Sequence, residues 1–282
     1  MRRGLGLVVA TIAVLYLAAI AYLFLFQRSY VFHPSGTLAQ PAELGLADIE
    51  VVTLPMTDGT SLTGWYREAA PGLPTVLYFH GNAGNLSGRA ERFGKILESG
   101  FGLAVMSYRG YAGSGGNPGE AALFSDALEI FDWLRERTDN IVVHGESLGT
   151  GIGAYVAAER PVRALILEAP YTAALDIAGE AYPWVPVSLL MRDPFLTREH
   201  VRRMEEPILI VHGTEDRVIP VAHSRRLYEG ARQPKELVIV EGGRHDDLWD
   251  RGLWATALDF LRANGVAVQA PAAVRATPSF AG

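Results

Sequence analysis

Ile141-Val142-Val143-His144-Gly145-Glu146-Ser147-Leu148-Gly149-Thr150-Gly151 is an apolar run that breaks at glycine and continues into small residues. Its centre, Gly145-Glu146-Ser147-Leu148-Gly149, fits G-x-S-x-G, the elbow that lifts a serine onto a sharp turn between a strand and a helix. That turn needs its two glycines, because the serine backbone is strained and a Cβ on either neighbour would run into other segments. The pentapeptide alone is a common pattern, so its weight depends on what surrounds it. Here a β-branched run precedes it, a helix is expected over 148–158, and Pro161 closes that helix.

Outward from the elbow the same grammar repeats. Short apolar strands are expected at 75–79, 102–107, 141–143, 164–167, 208–211 and 237–240, alternating with amphipathic helices near 89–98, 120–137, 148–158, 221–231 and 248–263. This alternation predicts an α/β fold with a mostly parallel central sheet and helices on both faces. Before it, Ile49–Leu54 and Ser61–Tyr66 flank Thr57-Asp58-Gly59-Thr60 and read as an antiparallel hairpin. The stretch 171–206, with Tyr182-Pro183-Trp184-Val185-Pro186-Val187 and Leu189-Leu190-Met191, is too apolar for a solvated loop and too rich in proline for one helix. It reads as a small lid inserted into a domain covering 48–264.

The chain has 282 residues, 49% of them hydrophobic, enough for one large core. Its net charge of −6 with mixed signs leaves no basic footprint for a nucleic-acid partner. With no cysteine, disulfides, thiolate nucleophiles and thiolate metal sites are excluded.

Arg2 and Arg3 precede an uncharged run from Gly4 to Phe26 in which thirteen residues are Leu, Ile, Val or Phe. As a helix it is about 34 Å long, enough to cross a bilayer. Residues 1–27 therefore read as a single-pass anchor. The competing reading is a cleaved signal peptide, with Ala19-Ile20-Ala21 as the cleavage site, but the apolar run continues through Tyr22-Leu23-Phe24-Leu25-Phe26, longer than such peptides need. The basic residues before the span put the N-terminus in the cytoplasm and the following domain outside it. A juxtamembrane linker is expected over 28–47, and a disordered tail over 265–282.

A serine hydroxyl becomes a nucleophile only when an adjacent base takes its proton and a third group orients that base. Ser147 is the candidate nucleophile. Downstream, Ile208–Val211 leads into His212-Gly213-Thr214-Glu215-Asp216, and Val238-Ile239-Val240 leads into Glu241-Gly242-Gly243-Arg244-His245. Both are loops at the carboxyl ends of expected parallel strands, where open α/β sheets hold their sites. Asp216 is the candidate orienting carboxylate and His245 the candidate base, giving the chain order Ser, Asp, His of α/β-hydrolases. Read alone, Asp216 would be a turn or capping aspartate and His245 a surface histidine. His80, His144 and His212 each end a strand just before glycine, positions suited to packing or to shaping the floor of the site.

The developing oxyanion needs two N–H donors. Leu148 follows the nucleophile, and the loop Phe79-His80-Gly81-Asn82-Ala83-Gly84-Asn85 offers the second, from Asn82 or, failing that, Ala83. No H-E-x-x-H or comparable spacing supports a metal. Gly110-Tyr111-Ala112-Gly113-Ser114-Gly115-Gly116 lacks the order of a phosphate or dinucleotide loop and reads as a flexible loop beside the site, so no cofactor is expected.

Five ordered motifs, His80-Gly81-Asn82-Ala83-Gly84-Asn85, Tyr108-Arg109-Gly110-Tyr111-Ala112-Gly113-Ser114, Gly145-Glu146-Ser147-Leu148-Gly149, His212-Gly213-Thr214-Glu215-Asp216 and Gly242-Gly243-Arg244-His245-Asp246, resemble the α/β-hydrolase family. More narrowly, the chain looks like the membrane-anchored Bem46-like group, related to the ABHD13 and ABHD17 types. The resemblance implies ester or thioester hydrolysis through an acyl-enzyme, and in some relatives removal of palmitoyl groups from proteins. The cysteine-rich N-terminal segment of those depalmitoylating relatives is absent here.

The expected function is a membrane-anchored serine hydrolase acting on a small-molecule or lipid acyl ester. A serine peptidase of the same fold, or a membrane-tethered binding protein without turnover, are the alternatives.

Overall fold

A computed structural model of the chain describes residues 2–269. Helix α1 (Arg2–Val31) is followed by the hairpin β1 (Glu50–Pro55) and β2 (Ser61–Arg67). Then come β3 (Thr75–Phe79), α2 (Ala90–Glu98), β4 (Gly102–Met106), α3 (Glu120–Arg135), β5 (Ile141–Glu146), α4 (Gly149–Glu159) and β6 (Ala164–Glu168). After β6 lie three helices, α5 (Ala174–Ala181), α6 (Val187–Leu190) and α7 (Thr197–Arg203). The chain closes with β7 (Ile208–Gly213), α8 (Ala222–Gly230), β8 (Lys235–Val240) and α9 (Leu253–Ala263).

The eight strands form one sheet in the order β8-β7-β6-β5-β3-β4-β2-β1. β3 to β8 run parallel, while β1 and β2 pair antiparallel at one edge. Side chains alternate between faces, as the pleat requires. Leu77, Phe79, Val143, Leu165 and Ile210 pack with α3, α4, α7 and α8, whereas Val76, Val105, Val142, Ile166 and Leu209 pack with α2 and α9. This is the α/β-hydrolase fold expected from the motifs, with β3, β5, β6, β7 and β8 sending their carboxyl ends toward one rim.

The structure differs from the sequence reading in three places. α9 starts at Leu253, five residues later than expected, because Gly252 takes a left-handed turn (φ 90°) and Leu248 and Trp249 are buried in the turns before it. Within 171–206, only the first part stands over a cavity. From Phe195 onward the chain re-enters the core, with Phe195, Thr197 and Val201 buried. The segment read as a juxtamembrane linker makes contacts that its irregular pattern does not show: Phe32 and Leu46 are buried, and His33–Pro34 forms a short parallel bridge with Ala83–Gly84. Of the expected disordered tail, residues 270–282 lie outside the described residues, and Val266 within it is buried.

α1 contains an 18-residue window of mean hydropathy 2.5, so it is long and apolar enough to cross a membrane. Its half-buried residues, Ala19, Ile20, Leu23, Phe24, Gln27 and Val31, fall on one side of the helix.

Candidate active site

Between the end of β5 and the start of α4, Ser147 takes φ of 50°, a left-handed conformation rarely adopted by residues with side chains. Its amide donates to the Glu168 carbonyl of β6 at 2.9 Å, which holds the turn. A Cβ on Gly149 would collide with the carbonyl oxygen of Phe79, and one on Gly145 would lie 2.5 Å from the Gly149 oxygen. The strained serine turn therefore needs glycine two residues to either side of it.

The loops after β7 and β8 cross in direct backbone contact. A Cβ on Gly213 would fall on the Gly243 backbone, and the Glu215 amide donates to the Gly243 oxygen at 2.8 Å. That crossing turns Asp216 and His245 toward each other. His245 Nδ1 lies 2.7 Å from Asp216 Oδ2, and His245 Nε2 lies 3.0 Å from Ser147 Oγ. Because a carboxylate can only accept, Nδ1 carries the proton and Nε2 is left to accept from the serine hydroxyl.

The Asp216 side chain is buried, and both of its carboxylate oxygens have partners. Oδ1 accepts from the amides of Val218 at 2.8 Å and Ile219 at 2.9 Å, while Oδ2 also lies 3.2 Å from His212 Nε2. Burial opposes its charge, but hydrogen bonds from His212 and His245 outweigh it and hold the pKa well below the ordinary carboxylate range. For His245, burial pulls the pKa down, whereas the hydrogen bond and charge of Asp216, with Glu146 and Glu168 further off, raise it above the ordinary histidine value.

The second donor loop is also built from distant parts. The Asn82 carbonyl accepts from the Tyr111 hydroxyl at 2.7 Å and from the His33 amide at 3.0 Å, and Asn82 Nδ2 donates to the Val31 oxygen at 3.1 Å. The Tyr171 hydroxyl donates to the Leu148 oxygen at 3.0 Å. Among the described residues, neither the Asn82 nor the Leu148 amide is used in a turn or loop hydrogen bond. Asn82, Ser147 and Leu148 line one cavity of about 310 Å³, and Ala83 does not. The glycine-rich 110–116 loop is thus beside the site, where it reaches Asn82 through Tyr111.

Sequence reasoning missed two sets of supporting residues. His212, placed there only as a floor residue, accepts or donates at Ser224 Oγ (2.6 Å) and approaches both the Ile219 oxygen (2.9 Å) and Asp216. Beneath the elbow, Glu146 accepts from Arg89 at 2.6 and 2.9 Å and from the Tyr78 hydroxyl at 2.9 Å. Arg92 bridges Glu146 to Glu168, which also takes Trp249 Nε1 at 2.8 Å and contacts His144 Nε2 at 3.1 Å. Burial opposes the charge of Glu146, but Arg89 and Arg92 keep its pKa below the ordinary range. The available signal was Glu168, an ionisable residue ending the otherwise apolar strand Ala164–Glu168, whose burial calls for polar or cationic partners.

His80 stacks on Tyr108 at 3.7 Å and is held by burial near a pKa of about 3, so it is a neutral packing residue. His223 is occupied by Thr172 and Glu180. Among the described residues no three His, Asp or Glu side chains are grouped to hold a metal ion.

The cavity walls come from α1 and from 174–191. Ile20, Leu23 and Phe24 line it together with Ile177, Val185 and Leu190, and no side chain lining the cavity is charged.

Comparison with known proteins gives the same picture from outside. The family model described as alpha/beta hydrolase fold matches residues 74–193, and the one described as Serine aminopeptidase, S33 matches residues 195–252. Protein Rv2307c of Mycobacterium tuberculosis is 33% identical over 246 residues, covering 85% of this chain and 88% of that protein. The alpha/beta hydrolase domain-containing protein WAV2 of Arabidopsis thaliana is 32% identical over 278 residues, covering 86% and 90%. The lysophosphatidylserine lipase ABHD12 of Rattus norvegicus is 35% identical over 191 residues, covering 58% of this chain and 47% of that protein. Among solved structures, the esterase Pf2001 of Pyrococcus furiosus superposes with a TM-score of 0.68 at 18% identity, covering 83% and 99%.

Proposed function

The chain belongs to the α/β-hydrolase family, and on that premise we propose that it is a membrane-anchored serine hydrolase that cleaves carboxylic esters or thioesters of apolar acyl groups. The observation that carries this reading is the unbroken path from Asp216 through His245 to Ser147 Oγ, ending in an apolar cavity. Ser147 Oγ attacks the acyl carbonyl carbon while His245 Nε2 takes the hydroxyl proton. The amides of Leu148 and Asn82 receive the oxyanion. As the tetrahedral species collapses, the leaving alcohol or thiol takes the proton from His245. Water then repeats the sequence on the acyl-enzyme, releasing the acid and restoring the serine. Asp216 keeps His245 in one tautomer and offsets its positive charge.

The helix Arg2–Val31 is read as an uncleaved single-pass anchor, with its basic end in the cytoplasm and the hydrolase domain outside it. The lysophosphatidylserine lipase among the relatives is compatible with a lipid acyl ester as substrate.

The aminopeptidase match over residues 195–252 favours a second reading, a peptidase that binds a substrate amine. The cavity speaks against it, because no carboxylate lines it to pair with an ammonium group.

A fluorophosphonate probe tests the proposal. The parent protein should be labelled, recovered from the membrane fraction and still carry its first 21 residues, while Ser147→Ala should not label. Equal labelling of Ser147→Ala ends the nucleophile assignment, and a mature chain starting after Ala21 ends the anchor. Hydrolysis of amino-acid amides but not p-nitrophenyl esters decides for the peptidase. A folded protein that never labels is a binding protein.

A further inference from the structure

The N-terminal helix does more than a tether requires. Its half-buried face runs from Val31 back to Ile20, about 16 Å along the axis, and that whole length walls the cavity containing Ser147. Of these residues, Ile20, Leu23 and Phe24 lie in the later half of the Gly4–Phe26 run.

The docking is specified at both ends. Near the domain, Arg28 pairs with Asp193 at 2.8 and 3.2 Å, and that carboxylate is nearly buried and also accepts from the Glu120 amide at 2.9 Å. Gln27 Oε1 accepts from the Arg192 amide at 2.7 Å, and Gln27 Nε2 donates to the Leu190 oxygen at 3.3 Å. Eleven residues earlier, the Tyr16 hydroxyl donates to the Trp184 oxygen at 3.1 Å, with the two rings in edge contact. A free tether would need none of these bonds.

Tyr16 also sets a depth. It lies about midway along the Gly4–Phe26 run, so whatever it touches lies below the surface of any bilayer that α1 crosses. The 174–191 segment presents Trp184 there, 50% exposed, and its other exposed large apolar side chain is Leu189, at 84%. In water such a pair is an apolar liability, whereas among lipid tails it is at home.

We infer that α1 is one wall of an acyl-binding pocket opening sideways into the bilayer, and that its occupant is the long acyl chain of a membrane amphiphile, lying between α1 and the 174–191 segment. The inference rests on the hydrolase reading above and adds the substrate class and its route. Helix face and cover make a slot with uncharged walls, fit for a hydrocarbon chain, and Ser147 at its floor meets the carbonyl at the end of that chain. The headgroup, as the alcohol, leaves with the proton from His245.

The test uses the full-length chain in phosphatidylcholine vesicles, with p-nitrophenyl palmitate and p-nitrophenyl acetate as probes. Leu23→Trp fills the slot from the α1 side and Ile177→Trp from the opposite side. Each should lower the palmitate-to-acetate ratio of kcat/KM by about tenfold or more, since a few methylenes excluded from an apolar pocket are worth that much. Leu23 lies on a half-exposed helix face, so its variant does not threaten the fold. A ratio unchanged in both variants overturns the wall, whatever happens to the absolute rates. If the unmutated chain cleaves neither ester and takes no fluorophosphonate, the hydrolase reading has failed instead.

Discussion

At the floor of the cavity each polar group has a named partner: Asp216 is held by two amides and two imidazoles, Glu146 by two arginines and a tyrosine, and Asn82 by Tyr111 and His33. Its walls, from α1 and the 174–191 segment, are apolar and uncharged. The polar bonds joining those two segments run from Gln27 to the Leu190 oxygen and from Tyr16 to the Trp184 oxygen, eleven residues apart on α1. Reaction chemistry tolerates small errors of position poorly, so the floor is over-determined. A hydrocarbon chain asks only for shape and dryness, so the wall is built from packing.

The contrast would break first at Asp216. Asp216→Asn preserves shape but lets the side chain donate where it must accept, which favours the wrong tautomer of His245. Ester turnover should fall on the order of 10⁴-fold while the protein stays folded. A fall of only a few-fold in a correctly folded variant would remove Asp216 from the chemistry and leave the floor no better specified than the wall.

A smaller effect tests the layer below. Arg89→Ala leaves Glu146 buried with its main cation gone, and removal of one member of a buried pair typically costs about 3 kcal/mol. Arg92 and Tyr78 remain in place and soften the loss. Denaturant unfolding should read it as a lower midpoint with an unchanged slope. An unchanged midpoint would mean that Arg89 is a surface charge in effect, and that the network does not brace the elbow.

The floor was legible in the sequence for the same reason that it is over-determined. A strained serine between glycines, an acid and an imidazole at strand ends are residue types that little else can replace, and they come in a recognisable order. The structure brings Ser147, Asp216 and His245 within hydrogen-bond distance across 98 and 29 residues of chain. What stayed hidden depends on long-range contact between ordinary residues. An apolar face on α1 reads alike whether lipid or protein covers it, so its docking could not be seen in Ile20, Leu23 and Phe24 themselves. The start of α9 was misplaced because Leu248 and Trp249 look helical by pattern, while Gly252 decides the boundary locally. His212 was undervalued although it opens the same motif as Asp216, because the turn that folds the carboxylate back onto its ring is not visible in the residue order.

The finest distinction between floor and wall lies in the pH profile. In the proposed mechanism His245 accepts the Ser147 proton only when neutral, so activity should fall as the pH drops through its pKa. Burial lowers that pKa, but Asp216 more than offsets burial and leaves it above the ordinary value of 6.5. The acid limb of kcat/KM, which reports the free enzyme, should therefore lie at higher pH than a free histidine would give. In Asp216→Asn the attraction is gone while burial remains, so the limb of the residual activity should move to lower pH. Folding stability carries the opposite sign: a raised pKa stabilises the native state below the unfolded histidine value and loses that contribution as the pH rises through the folded one. The imidazolium form that best holds the fold is thus the form that cannot take the serine proton. Leu23→Trp, which alters the wall and touches no titrating group of the floor, should leave the limb where it is. A limb that moved with Leu23→Trp, or stayed in place with Asp216→Asn, would show that charge and packing in this cavity are not divided between floor and wall.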